Sequence, residues 1–383
     1  MKALLVLMVS LCLVSCAAAP RGPDPGFTDR EIASLMERGK VVGLALAVID
    51  AGQVVKVATY GKRNLEKDLP LQPDTVMYGA SLTKTAFAYM VLQLASEGRL
   101  DLDAPLPKLL PKPLPDYRGG ARTDFSDLAG DDRWRRITPR ILLTHSSGFA
   151  NFRWLEPDER LRFHFTPGER YAYSAEGMYI LQLIVEQGLG LEAGRAMQQR
   201  VFDRLGMPNT SMQWWPDFAA NLADGYTLEG RMEPHDERSA VTAAGSMDTT
   251  IADQARLWAG ILRGDALSPA MRAEMVRPQL PIMSAGQFPT LVSRPGAPVP
   301  HLAAGLGVVT FKDRSGPGWF KGGHNDSTGN MVICLEARKR CVVMLSNDVR
   351  AERIFPEIAR LALGQNDMPW HWEYDWYDSA STP

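Results

Sequence analysis

The chain has 383 residues, of which 45% are hydrophobic, 22% charged and 8% aromatic, a globular composition that excludes disorder and fibrous repeats. Its 42 Lys and Arg against 44 Asp and Glu leave a net charge of −2, far from the basic excess that counterion release on DNA or RNA requires. Nucleic acid is therefore excluded as an expected partner.

In chain order, Lys2 precedes an apolar run from Ala3 to Leu13 that is too short to span a bilayer and has the shape of a secretory signal. Leu13-Val14-Ser15-Cys16 resembles a bacterial lipobox, which implies cleavage before Cys16 and lipidation of its thiol; the alternative is a plain signal peptide cut near Ala19. The expected organisation is a signal peptide over 1–15, a tether over 16–26, one catalytic body over 27–365 and a tail over 366–383. The expected location is the periplasmic face of the cell envelope, held by a lipid anchor; Ala17 after the cysteine points to the outer membrane.

Val41 to Asp50 and Val54 to Tyr60 read as strands around Ala51-Gly52-Gln53, a hairpin signature. Thr83 to Gly98 reads as a helix closed by its glycine. Pro105 to Gly120 holds five prolines and reads as a surface crossing. Helical patterns recur at Gly177 to Glu186, Ala193 to Leu205 and Ile251 to Leu262, and Gln279 to Pro300 reads as a loop. Strands return near Leu306 to Phe311, Asn330 to Leu335 and Val342 to Leu345, before a closing helix from Ala351 to Leu363. Sheet at both chain ends around a mostly helical middle (81–300) predicts an α/β (α+β) body: an antiparallel sheet flanked by helices. A two-residue loop at Ala337-Arg338 sets Cys334 opposite Cys341, so the two either bridge in an oxidising compartment or remain buried thiols.

Several chemistries are excluded. The six histidines include no HExxH and no pair spaced to share a metal, so no metal site is expected. Neither a Walker loop nor GxGxxG opening a helix is present, so no nucleotide cofactor is expected either, and no cofactor of any other kind. GxSxG is absent too. What remains is Ser81-Leu82-Thr83-Lys84 at the start of a predicted helix. The i, i+3 spacing puts the Lys84 amine within reach of the Ser81 hydroxyl. A serine attacks only when a base takes its proton, and a lysine serves only if burial or nearby positive charge lowers its pKa.

That SxxK is followed in order by Glu97-Gly98-Arg99-Leu100-Asp101, Thr138-Pro139-Arg140-Ile141-Leu142-Leu143-Thr144-His145-Ser146-Ser147-Gly148, Pro167-Gly168 with Tyr173-Ser174-Ala175, Leu205-Gly206-Met207-Pro208-Asn209-Thr210 and Lys321-Gly322-Gly323. From about Gly43 to Asn347 the ordered set resembles the serine β-lactamase-like family of class C β-lactamases, DD-peptidases and related esterases. The resemblance implies Ser81 as nucleophile, Lys84 as its base or relay, and Tyr173 as the second acid/base member. It places the oxyanion hole on the backbone amides of Ser81 and His324. Lys321 would meet a substrate carboxylate, with Gly322 and Gly323 admitting the substrate to the strand edge. His324-Asn325-Asp326 is the alternative filling of the third motif. His145 is expected to be structural.

Where relatives carry Tyr-x-Asn this sequence has Tyr173-Ser174-Ala175, so Ala175 replaces an amide that recognises a β-lactam or D-Ala-D-Ala side chain. KTG becomes Lys-Gly-Gly, with one hydroxyl lost. The leading expectation is a serine hydrolase acting through an acyl-enzyme on small-molecule esters or amides. The alternatives are a penicillin-binding, DD-peptidase-like enzyme on peptidoglycan peptides and a non-enzymatic envelope lipoprotein. A monomer is expected.

Overall fold

The computed structural model describes residues 26–120, 122–292 and 296–377. The signal segment, Cys16 and the tether as far as residue 25 lie outside the described residues. Nine strands form one sheet: β1 (Gly43–Asp50), β2 (Gln53–Asn64), β3 (Leu69–Pro70), β4 (Leu280–Pro281), β5 (Ala303–Ala304), β6 (Val309–Asp313), β7 (Gly316–Asn325), β8 (Thr328–Leu335) and β9 (Arg340–Ser346). Their spatial order is β3-β2-β1-β9-β8-β7-β6-β5-β4, and each pairing is antiparallel. The two chain ends meet at the centre, where Leu44 opposes Ser346 and Ile49 opposes Cys341.

The helices that matter for the site are α1 (Asp29–Gly39), α2 (Leu82–Ser96), α3 (Ala175–Leu183), α4 (Ile251–Arg263), α5 (Phe355–Leu363) and α6 (Trp370–Glu373). Strand alternation splits the core between the two sheet faces. Leu44, Leu46 and Val48 pack with Ile32 of α1 and Ile358 of α5, whereas Ala45, Ala47 and Ile49 pack with α2 and α4. The small alanines let α4 approach the sheet. Each residue from Leu82 to Leu94 is buried, so α2 is enclosed on all sides and carries its N-terminus into the body as a fixed support. The β1–β2 hairpin turns through Ala51 (φ 47°) and Gly52 (φ 76°), the left-handed pair that a tight hairpin with right-twisted strands requires.

Three expectations are corrected. Pro105 to Gly120 is no mere surface crossing: its prolines start a short helix at Leu106–Leu109 and a 3₁₀ turn at Leu114–Asp116, and Leu106 and Leu114 are buried. The described part of the tail, 366–377, belongs to the body, because α6 inserts Trp370 and Trp372 into the core that holds α1 and α5. The β8–β9 connection is a 3₁₀ turn at Glu336–Arg338 followed by left-handed Lys339 rather than a two-residue loop, with the same register. Cys334 opposes Cys341, and the two are joined in a disulfide seven residues apart in sequence. So short a loop is expected to contribute about 2 kcal/mol by chain entropy; denaturant unfolding with and without reductant measures it.

Candidate active site

Met77–Tyr78 pairs with Asp248–Thr249 as a two-stranded ribbon, and Asn330 of β8 donates from Nδ2 to the Tyr78 carbonyl at 3.0 Å. These restraints fix the turn that delivers Ser81 to the start of α2. Ala80, just before it, has φ 46°, a left-handed conformation that costs a non-glycine residue energy and is held only by surroundings that over-determine it. Ser81 makes no side-chain cap of its helix, which leaves its hydroxyl for the cleft. Lys84 Nζ lies 3.2 Å from Ser81 Oγ and donates to the Ala244 carbonyl at 2.6 Å. Lys84 is fully buried, and that burial, with the charge of Lys321 adding to it, holds the amine well below the ordinary lysine range.

Tyr173 sits across from this pair. Its ring centroid is 5.0 Å from Lys84 Nζ and 5.1 Å from Lys321 Nζ, and its hydroxyl accepts from Lys321 at 3.4 Å. Burial raises the phenol above its ordinary value, while its hydrogen bond with Ser81 pulls the other way. The third motif is therefore led by Lys321. His324 instead turns its ring outward to the Glu352 carboxylate, with Nδ1 and Oε1 3.0 Å apart.

Strand β7 passes very close to the nucleophile. A Cβ on Gly323 would lie 2.9 Å from Ser81 N and 3.0 Å from Leu82 N, so only glycine permits the approach. The β6 pairing with β7 ends at Phe320, which leaves Lys321 to Asn325 with a strand edge facing the cleft. The cleft has a volume of about 590 Å³ and is lined by Ser81, Lys84, Tyr173, Lys321, Gly322 and Gly323 among others. It thus gathers all but one of the catalytic and substrate-binding residues named from the sequence.

Ala175 is the exception. It is the first residue of α3, completely buried in the α2-side core, and its amide donates to Asn151 O at 2.9 Å and to Asn151 Oδ1 at 3.1 Å. Asn151, not residue 175, lines the cleft. Lys321 also departs from expectation, since it is buried and faces a carboxylate of the chain itself, Glu373 of α6. His145 packs behind Tyr173 with ring centroids 4.5 Å apart, and its Nδ1 accepts from Ser174 N at 3.3 Å. Burial holds its imidazole well below its ordinary value, so it is a neutral packing element. The Ala244 carbonyl, Asn151 and Glu373 were not expected from the sequence. Among the described residues no cluster of His, Cys, Asp and Glu is arranged to hold a metal ion.

The sequence of residues 28–366 matches the Beta-lactamase family model. The chain belongs to the Beta-lactamase family. It is 31% identical over 226 residues to the lovastatin esterase of Penicillium rubens, an alignment covering 51% of this chain and 55% of that protein, so it spans about half the length of that relative. It is 26% identical over 334 residues, 80% of each chain, to the D-alanyl-D-alanine-carboxypeptidase/endopeptidase AmpH of Escherichia coli K12. A class C beta-lactamase structure superposes with a TM-score of 0.70 at 17% identity, covering 88% of this chain and 94% of that one. An octameric penicillin-binding protein homologue from Pyrococcus abyssi gives 0.68 at 21% identity, over 88% and 76%. This Beta-lactamase-family fold is the one expected from the motifs, and the family is one of serine hydrolases.

Proposed function

We propose that this protein hydrolyses esters through an acyl-enzyme on Ser81. The observation carrying this reading is the buried Lys84 amine 3.2 Å from the Ser81 hydroxyl, at the N-terminus of a rigid helix. A lysine held below its ordinary pKa accepts the serine proton as Oγ bonds to the substrate carbonyl carbon. The tetrahedral oxyanion is received by the amides of Ser81 and His324, aided by the positive end of α2. On collapse the carbon–oxygen bond to the leaving group breaks, and Tyr173, kept a neutral phenol by burial, donates its proton to the departing alkoxide and regains one from Lys84. Water then enters, loses a proton to the same relay and releases the acid and free Ser81. Lys84 and Tyr173 act as one titrating unit.

Esters are favoured over β-lactams because the chain is similar over 51% of its length to the lovastatin esterase and because Ala175 carries no carboxamide where relatives have Tyr-x-Asn; the carboxamides that do line the cleft are those of Asn151, Gln287 and Asn325. The match to AmpH over 80% of the chain favours peptidoglycan peptides as the second reading. Intact-mass measurement after mixing with p-nitrophenyl esters and with a fluorescent penicillin separates the two. Ester turnover with little penicillin adduct is expected; a persistent penicillin adduct without ester turnover would select the second reading.

The same proposal places the protein on a lipid anchor at Cys16, at the periplasmic face. Cys16→Ser is expected to abolish lipidation and detergent-phase partitioning. A wild-type protein that partitions into the aqueous phase with another N-terminus would refute the anchor.

A further inference from the structure

The family match ends at residue 366, yet α6 beyond it reaches the cleft. Trp370 and Trp372 anchor this helix in the core, and Glu373, 8% exposed, lines the same cleft as Ser81 and Lys321. Its Oε2 is buried without a hydrogen-bond partner, a costly arrangement for a carboxylate unless a charge compensates it. The positive charges that act on it are those of Lys321 and, less strongly, His324. Glu373 Oε1 also lies 2.1 Å from where a Cβ on Gly322 would stand. The carboxylate thus fills the volume left by the missing side chain at the middle of the third motif.

We propose that Glu373 is a specificity-determining residue that sets the Lys321 side of the cleft against carboxylate-bearing leaving groups and reserves it for uncharged ones. An incoming carboxylate would find Lys321 already opposed by a buried negative charge at a place where charges are weakly screened. An uncharged leaving group meets no such repulsion, and specificity of this kind comes from the repulsive element as much as from the attractive one. The proposal rests on the ester-hydrolase reading and names its substrate class. The groups facing Glu373 are Lys321 and His324 of β7, Glu352 of the turn before α5, Tyr171 and Tyr173 of the loop before α3, and its neighbour Tyr374.

The test uses two esters of one shape and different charge, 3-carboxyphenyl butyrate and 3-carbamoylphenyl butyrate. The ratio of their kcat/KM values, carboxy over carbamoyl, is expected to rise about tenfold or more in Glu373→Gln. In the wild type the ratio is expected to climb as pH falls on the acid side of neutrality, because burial raises the Glu373 carboxyl and it takes up a proton there. In Glu373→Gln the ratio should be flat over that range. A ratio unchanged within twofold by the substitution, or a pH dependence that persists without Glu373 and so belongs to His324, would overturn the proposal. Calorimetric binding of the two leaving groups themselves, 3-carboxyphenol and 3-carbamoylphenol, reads the same preference without turnover and without a bond to Ser81. If neither ester is hydrolysed, the Ser81 chemistry fails. Glu373 is still judged, supported by tighter carbamoyl binding in the wild type and refuted by tighter carboxy binding.

Discussion

Ser81→Ala is expected to abolish acylation by esters, with no adduct by intact mass and kcat/KM lowered by at least about 10³-fold, while the protein stays folded. The hydroxyl contributes no cap to α2, so its loss removes chemistry and little packing. Lys84→Met and Tyr173→Phe should each cost a comparable factor, and the double variant far less than their product, because both serve one proton path. The pH dependence follows from burial. Lys84 must be neutral to accept the serine proton, and its pKa in the folded protein lies well below the ordinary lysine value; activity is therefore present above that lowered pKa and lost as pH falls through it. The same shift acts on stability. The unfolded chain protonates Lys84 at the ordinary lysine pKa and the folded one resists, so wild-type stability should fall with acidification below that value. Lys84→Met should lack this component. Undiminished ester hydrolysis by Ser81→Ala would end the reading.

What the sequence made legible was whatever is written in apolar runs and in motif order. The β1–β2 hairpin and the pairing of both chain ends follow from β-branched runs around turn residues, and Ser81, Lys84, Tyr173 and Lys321 from an ordered set of landmarks. The register of the third motif was open because Lys321 and His324 are both basic residues at plausible spacing; contact with Tyr173 distinguishes them only once the strand is folded. Pro105 to Gly120 was misread because proline density says where helices break and says little of whether leucines between the breaks are buried. Ala175 was misplaced because motif position does not show that the first turn of α3 points its side chain into the core. Ala244 acts through a backbone carbonyl, which no side chain announces. Glu373 sits on a four-residue helix with no periodicity to reveal it, and only tertiary packing brings it to Gly322.

Gly323→Ala is expected to lower kcat for ester hydrolysis by about 10²-fold or more, with a much smaller change in KM, in a protein that remains folded. The added Cβ would stand 2.9 Å from Ser81 N and 3.0 Å from Leu82 N, and these are backbone atoms at the start of an enclosed helix, which cannot turn aside as a flexible side chain does. Strand β7 must therefore move away from Ser81. In the proposed mechanism this separates the Ser81 and His324 amides, and losing one donor of an oxyanion hole typically costs about 10²–10³ in kcat. Gly322→Ala provides the contrast. Its Cβ would meet the Glu373 carboxylate at 2.1 Å, the free end of a side chain, so it should cost ester turnover far less and chiefly alter charge preference. Steady-state kinetics on a short neutral ester for both variants, with circular dichroism to establish folding, decides between them. Equal losses in the two would mean that the approach of β7 to Ser81 is a packing constraint and that the oxyanion is held elsewhere.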